Sequence, residues 1–477
     1  MNNLRQPFLA LAIPLMLVAG CTGTQETENS SDQTSPMNNF TGVPGEVKLM
    51  TLDPGHFHAA LVQKFMYDQV DSVVHVYAPE GEDLQMHLQR IEGFNTREED
   101  PTAWEEDVYT GPDFFEKMME EQPGNVVVLS GNNAKKTEYI KASVEAGLNV
   151  LADKPMVIQP SEYPDLKAAL ETAQEKGVLL YDIMTERYEI TTMLQKELAQ
   201  VAEVFGELEK GTPENPAISK ESVHHFFKYV AGSPLIRPAW FFDTEQQGEG
   251  IVDVSTHLVD LILWECFPEE VIDTANTQVV SARHWPTKLT PTQFSKVTGL
   301  DEYPDYLQKD IEDDSVLSTY SNGEFVFTAR GVHGKVSVIW NFEAPEGALD
   351  THFSMMRGNL ANLVIRQDEP QNYKPTLYVE PTEAVEDQQD FEQKLKAALE
   401  TLGDKYPGLS MQKADVGWEI IIPEEYKVGH ESHFSQVTQK YLDYLVAGEL
   451  PEWEVANMIA KYYITMKAYE MSRAEVQ

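Results

Sequence analysis

The chain has 477 residues, with 78 Asp and Glu against 36 Lys and Arg, a formal net charge of −42. So acidic a chain repels nucleic acid and anionic lipid heads, and neither is an expected partner. Only two cysteines are present, which excludes an internal disulfide framework, and 42% of the residues are hydrophobic, enough for the cores of two domains.

Residues 1–6 are a short polar start with one positive charge, Arg5. Residues 7–20 are apolar, about the length of a signal h-region and too short to span a bilayer. The run passes through Leu17-Val18-Ala19-Gly20 into Cys21. This is similar to the lipobox of bacterial lipoproteins, which implies export and a lipidated Cys21 at the mature N-terminus. An ordinary signal peptide with a chance cysteine is the alternative. Thr22, rather than Asp, after the cysteine favours the outer membrane, and Arg5-Gln6 in place of twin arginines favours export in the unfolded state. No later segment approaches the roughly 20 apolar residues of a transmembrane helix. The chain is therefore expected to be anchored to a membrane by lipid alone. Residues 22–45 are too polar to offset their ordering entropy and read as a flexible tether.

Residues 47–52 form a short apolar run, Asp53-Pro54-Gly55 follows, and 59–70 carry Leu61, Val62, Phe65 and Met66 at helical spacing. The pattern predicts strand, tight turn, helix. A second strand is predicted at 73–77. A third at 125–129 leads into Ser130-Gly131-Asn132-Asn133 and a helix over 135–146. A fourth strand at 150–152, a helix over 164–176 and a fifth strand at 178–181 follow. Alternating strands and helices argue for a parallel sheet covered on both faces. Residues 83–111, with Trp104 and many charges, read as an insertion. After Arg187 a helix over 191–204 leads to strands at 315–320, 324–331, 337–342, 351–358 and 362–367, in a mostly antiparallel sheet. Helices over 434–447 and 453–475 close the chain. The expected domains are 46–187 and 188–477.

Two segments carry chemistry. In Ala152-Asp153-Lys154-Pro155 a strand ends at a lysine, on the edge where open α/β sheets bind ligands; a surface ion pair in a turn is the plain alternative. In Gly248-Glu249-Gly250-Ile251-Val252-Asp253, a helix starting at Val252 would put Asp253 and His257 one turn apart, with Asp260 on the same face. A carboxylate one turn from a histidine can fix its tautomer for proton transfer, although many helices contain the same pair without function.

Together the two segments, about 100 residues apart, resemble the glucose–fructose oxidoreductase and inositol dehydrogenase family, Gfo/Idh/MocA. Ser130-Gly131-Asn132-Asn133, Thr185-Glu186-Arg187-Tyr188 and Phe205-Gly206-Glu207 extend the likeness over most of the chain. The resemblance implies an α/β fold: an N-terminal Rossmann-type doubly wound parallel sheet, then a C-terminal α+β domain with a large, mostly antiparallel open sheet that commonly forms subunit interfaces. It also implies an NAD(P)-dependent oxidoreductase acting on a sugar, glycoside or polyol. In it His257 would be the general base, Asp253 would orient it, and Lys154 would hold the substrate oxygen. By the same likeness Ser130, Gly131, Asn133, Asp153, Lys154 and Arg187 would meet the cofactor. Tyr188, His224, His225, Arg237 and Trp240 would line the substrate cleft, with core packing an equal alternative for each.

The phosphate-binding turn departs from the family. Its three glycine positions fall on Asp53, Gly55 and His58, so only the middle glycine remains. His56, Phe57 and His58 complete a turn expected to meet the diphosphate through backbone N–H groups and imidazole donors. The acid expected after the second strand is missing; Tyr77, Ala78 and Pro79 occupy its place, which leaves NAD and NADP both open, NAD slightly preferred. His56-x-His58 also admits a zinc reading with Asp53 and His75, but histidines near a phosphate or packed in a turn are the favoured reading, and no metal is expected. The damaged turn supports one competing function, a lipid-tethered carbohydrate-binding protein without turnover. A redox-neutral reaction on a retained cofactor is the other variant.

Overall fold

The computed structural model describes residues 40–230, 233–313 and 315–474, all within one unit, Met37–Gln477. The expected signal peptide, Cys21 and most of the tether lie outside the described residues.

The first sheet has six parallel strands: β1 (Leu49–Leu52), β2 (Val73–Ala78), β3 (Glu105–Thr110), β4 (Val126–Leu129), β5 (Asn149–Asp153) and β6 (Leu180–Ile183). Their order, β3-β2-β1-β4-β5-β6, reverses direction between β1 and β4. That switch point opens a crevice at the carboxyl ends of the strands, where ligands of such sheets bind. Every residue of β1, β4, β5 and β6 is buried, as strands covered by helices on both faces must be. The connecting helices are α1 (His58–Leu61), α2 (Glu82–Thr96), α3 (Phe114–Glu121), α4 (Lys136–Glu145) and α5 (Tyr163–Lys176).

Two expectations change here. The first helix is one turn long, because Trp104 Nε1 donates to the Gln63 carbonyl (2.7 Å) and Arg97 Nη2 to that of Lys64 (2.9 Å), drawing the chain off the helical path. The supposed insertion at 83–111 is instead the sheet's own α2 and edge strand β3. Its sequence, Glu-Glu-Asp-Val-Tyr-Thr, lacks an apolar face because the edge is solvated; charge there also discourages pairing with another chain.

After α6 (Ile190–Ala199) comes a ten-stranded sheet. Its main path runs Thr277–Leu289, Val316–Ala329, Val332–Glu343, Ile218–Phe227, Thr351–Arg357, Ala361–Gln367, Thr376–Pro381, Trp418–Ile421, Ser410–Lys413. Only the pairing of Val332–Glu343 with Ile218–Phe227 is parallel. Two strands expected separately, 315–320 and 324–331, form one continuous strand. The helices α7 (Val254–Cys266), α8 (Pro291–Thr298), α9 (Gln388–Leu402), α10 (His430–Ala447) and α11 (Glu452–Ala474) complete the domain. α7 is buried on nearly every side, α10 returns to flank β6, and α11 packs against α5, α7 and the strand Thr277–Leu289. No described helix is long and apolar enough to cross a membrane.

Candidate active site

Lys154 follows the last residue of β5, so its side chain starts at the carboxyl edge of the sheet. Its Nζ donates to Asp253 Oδ1 at 2.6 Å, an ion pair between the two domains. The other Asp253 oxygen accepts from Gln247 Nε2 (3.2 Å). The Gln247 carbonyl accepts from Asn133 Nδ2 (2.8 Å), and the Asn133 N–H donates to the Gln246 carbonyl (2.8 Å). The loop before α7 is thereby docked on the turn after β4.

The expected Asp253–His257 pair does not form. α7 starts at Val254, so Asp253 stands at the N-cap in a non-helical conformation and turns its carboxylate to the nearer cation, Lys154. Asp260 is taken by Arg187 and Lys461. His257 Nδ1 is buried and, among the described residues, has no hydrogen-bond partner. Burial and then the Lys154 charge hold this imidazole well below its usual pKa, so it is neutral. Burial works against the Lys154 charge, but Asp253 and Asp153 outweigh it and raise the ammonium above its usual range. The result is a fixed cation close to a neutral base.

A second cluster adjoins the first. His58, the first residue of α1, places Nδ1 2.9 Å from Asp153 Oδ2, which also accepts from Ser130 Oγ (3.0 Å). His56 Nδ1 stands 3.6 Å from the same oxygen. The Phe57 ring packs against both imidazoles, with centroids 4.6 and 4.4 Å away. Burial, His58 and the nearby lysines hold His56 well below its usual pKa against the pull of Asp153. For Asp153 itself, burial opposes ionisation, yet His58 and Lys136 keep the carboxylate well below its usual range. Lys136 Nζ donates to the Asp153 carbonyl (3.0 Å), and burial pushes that ammonium down to about 8. On the far side of His58, its Nε2 lies 3.1 Å from His430 Nε2, on α10. Sequence reasoning missed His430, Gln247 and Lys136 as site residues. Gln247 adjoins the Gly248 turn and could have been suspected; Lys136 stands where a His follows the family's turn after the third strand, and no local signal marks His430.

Asp53 adopts φ +51°, and Gly131 lies so close that a Cβ there would stand 2.1 Å from the Asp53 carbonyl. Burial and the Asp83 charge, partly offset by Lys135, push the Asp53 carboxyl from its usual 3.8 up to about 6. The folded state therefore holds the proton more tightly than the unfolded state. Stability falls as pH rises from about 4 to about 6, and the loss persists above that. Asp53→Asn keeps a residue that tolerates positive φ and removes the charge. It should stabilise the protein at pH 7 by on the order of 2 kcal/mol and leave pH 4 nearly unchanged. Thermal midpoints at the two pH values check this; an equal shift at both would refute it.

The remaining expected residues divide. His224 stacks on Trp340 (4.8 Å between centroids), with Nε2 buried and, among the described residues, unpartnered, and feels the Lys154 charge, so it borders the site. Arg237 lies over the Phe241 and Trp340 rings and donates to the Phe226 carbonyl (2.9 Å). His225 turns to Asp350 (2.8 Å). Arg187 does not face the crevice. Its guanidinium forks onto Asp260 (2.6 and 2.7 Å) and reaches Glu454 (2.8 and 2.9 Å), in a buried network with Lys461 and Asp182. With Nε, Nη1 and Nη2 all engaged, it is not available to a cofactor. Tyr188 is half-buried beside that network and makes no hydrogen bond to Lys154, Asp253 or His257.

Comparison with known proteins fits this geometry. Residues 54–182 match the model of the Gfo/Idh/MocA group, described as "Oxidoreductase family, NAD-binding Rossmann fold". Residues 194–473 match "Putative oxidoreductase C terminal domain". A crystal structure from Parabacteroides merdae, described as a "putative oxidoreductase", shares 56% identity over 92% of this chain and 100% of its own, with a TM-score of 0.90. The chain belongs to the Gfo/Idh/MocA oxidoreductase family. More distant solved structures share the fold. A 3-ketoreductase from Actinomadura kijaniata, in complex with NADP and TDP-benzene, is 12% identical over 88% of this chain and 95% of its own (TM-score 0.52). A levoglucosan dehydrogenase in complex with NADH and levoglucosan is 13% identical over 90% and 98% (TM-score 0.55). No curated protein matches the chain.

The family's nicotinamide cofactor needs a diphosphate seat on the turn after β1. Here a Cβ on Gly55 would meet Asp83 Oδ2 at 3.1 Å and Trp240 Cζ2 at 3.2 Å. Trp240 Nε1 donates to Asp83 (2.9 Å), so an indole and a carboxylate cover the one glycine that is left. The cavity beside them is only about 280 Å³ and is bounded by Asp53, Glu82, Asp83, Trp240 and Tyr306. That volume is small for any ligand site, and its carboxylates repel a diphosphate. At the end of β2 the Tyr77 hydroxyl donates to Glu121 (2.7 Å). Lys154 stands at the nicotinamide end of the crevice, and at the diphosphate end Trp240 and Asp83 lie over Gly55 in this arrangement.

Proposed function

We propose that this family member acts on a hydroxyl of a sugar, glycoside or polyol, with NAD or NADP bound in a state opened at the Trp240–Asp83 contact. The observation that carries the reading is the charged Lys154, fixed by Asp253, close to the buried neutral His257. A carbinol carbon gives up hydride only as its hydroxyl loses a proton. His257 would take that proton, and Lys154 Nζ would hydrogen-bond the oxygen and stabilise its developing negative charge. Asp253 acts on Lys154 rather than on His257. The cofactor's part, once bound, is to accept or return the hydride. Lipid attachment at Cys21, outside the cytoplasm, belongs to the same proposal and is supported by the segment 17–21; a retained cofactor suits that setting.

The competing reading, a carbohydrate receptor without turnover, draws on the covered Gly55. Binding of NAD and NADP to the wild-type protein and to Trp240→Ala separates the two. We expect the variant to bind at least about tenfold more tightly, one displaced contact of roughly 1.4 kcal/mol. A panel of hexoses and glycosides is then screened for reduced nicotinamide by absorbance. If neither protein binds either nucleotide while glycans still bind, the receptor reading stands in its place.

A further inference from the structure

His56, His58 and Asp153 come from three different places: the turn after β1, the start of α1 and the end of β5. One ligating atom from each lies within 4.8 Å of the others. His58 and Asp153 are buried and His56 is half-buried. In a tetrahedral zinc site with bonds of 2.0–2.1 Å, neighbouring donor atoms stand about 3.3 Å apart. The two imidazole nitrogens lie 2.9 and 3.6 Å from Asp153 Oδ2, on either side of that value.

We propose that His56, His58 and Asp153 bind a divalent transition-metal ion of the zinc class, with a further coordination position open to the crevice beside Lys154. Two imidazoles and one carboxylate with an open position are the donor set of a reactive rather than a structural site.

The surroundings agree. A histidine that ligates through one nitrogen donates the other N–H to a fixed acceptor, and a ligating carboxylate is itself hydrogen-bonded. With His58 Nδ1 on the ion, its Nε2–H donates to His430 Nε2 at 3.1 Å. The His430 Nδ1–H then points towards Glu186 Oε1, 3.9 Å away. Ser130 Oγ donates to the Asp153 carboxylate. Neither lysine nearby claims that carboxylate: Lys154 is paired with Asp253, and Lys136 bonds the Asp153 carbonyl. The ion would polarise a hydroxyl or carbonyl oxygen of a ligand, and its place accounts for a histidine, His58, at a position where the family carries glycine. Metal binding does not depend on the dehydrogenase reading and holds whether or not a nucleotide binds.

The test uses the full protein without a histidine tag, stripped with a chelator. Bound metal is measured by elemental analysis, and Zn²⁺ and Co²⁺ are titrated, Co²⁺ by its visible d–d absorption. We expect one ion per chain. His56→Gln and His58→Gln should each weaken Zn²⁺ binding at least about 100-fold, and His430→Gln about tenfold, as loss of an outer hydrogen-bond partner does. Asp83→Asn should leave Zn²⁺ affinity unchanged. Circular dichroism checks folding; if buried His58 does not tolerate substitution, half-buried His56 carries the test. Less than about a tenth of an ion per chain at micromolar Zn²⁺, or unchanged affinity in His56→Gln, overturns the proposal.

Discussion

Lys154→Met is expected to lower kcat by about 10³-fold or more while the protein still folds. Methionine fills nearly the same volume but carries no charge to stabilise a developing alkoxide, and the loss of one such donor alone typically costs about 10²–10³. Lys154 is also the fixed cation of the Asp253 pair, so the single variant leaves that carboxylate with Gln247 alone. Lys154→Met combined with Asp253→Asn removes the unpaired charge. The double variant should recover thermal stability without recovering turnover. That split separates a chemical role from a structural one, which would restore both. Turnover within tenfold of wild type in Lys154→Met would end the assignment. Under the receptor reading the same variant has no turnover to lose, and glycan binding is unaltered.

Arg187→Met is expected to destabilise the fold by about 3–5 kcal/mol, the usual cost of removing one member of a buried ion network. It leaves Asp260 with Lys461 alone and Glu454 with only the long contact to the Tyr444 hydroxyl (3.5 Å). The denaturant midpoint should fall, and amide exchange should quicken first in α11, which Glu454 and Lys461 tie to the rest of the molecule. Nucleotide affinity of the protein that remains folded should hold. An unchanged midpoint with weakened nucleotide binding would restore Arg187 to the cofactor.

What was legible in the sequence depended on how local each signal is. Asp153-Lys154-Pro155 could be placed at a strand end because the apolar run before it and the proline after it are neighbours in sequence. The parallel sheet followed from the same alternation. Partnerships across the interior were not legible. An i,i+4 spacing suggested that Asp253 serves His257, but the start of α7 at Val254 and the position of Lys154 decide otherwise. His430 lies 372 residues from His58 and carries no motif. Arg187 matched a family segment, yet only the fold shows Asp260 and Glu454 around its guanidinium. Strand β3 reads as an insertion in the sequence because period-2 alternation disappears where a strand lies at a solvated edge. The His-x-His pair is visible in the sequence, but the nearest carboxylate in sequence is Asp53, whereas Asp153 is the one that the parallel sheet brings alongside.

Asp182, near the end of β6, is bonded by Lys461 (2.7 Å) and by the Tyr462 hydroxyl (2.9 Å), the latter 280 residues later in the chain. A polypeptide emerges from the ribosome N-terminus first. The six-stranded sheet is therefore fully synthesised while the groups that neutralise Asp182 and cover its flank do not yet exist. Until α11 arrives, the buried Asp182 carboxylate lacks its counter-charge, so the first half does not reach its finished state alone. A chain that stops short of the last helix is therefore expected to leave Asp182 without these partners and to be cut faster in limited proteolysis than the full chain.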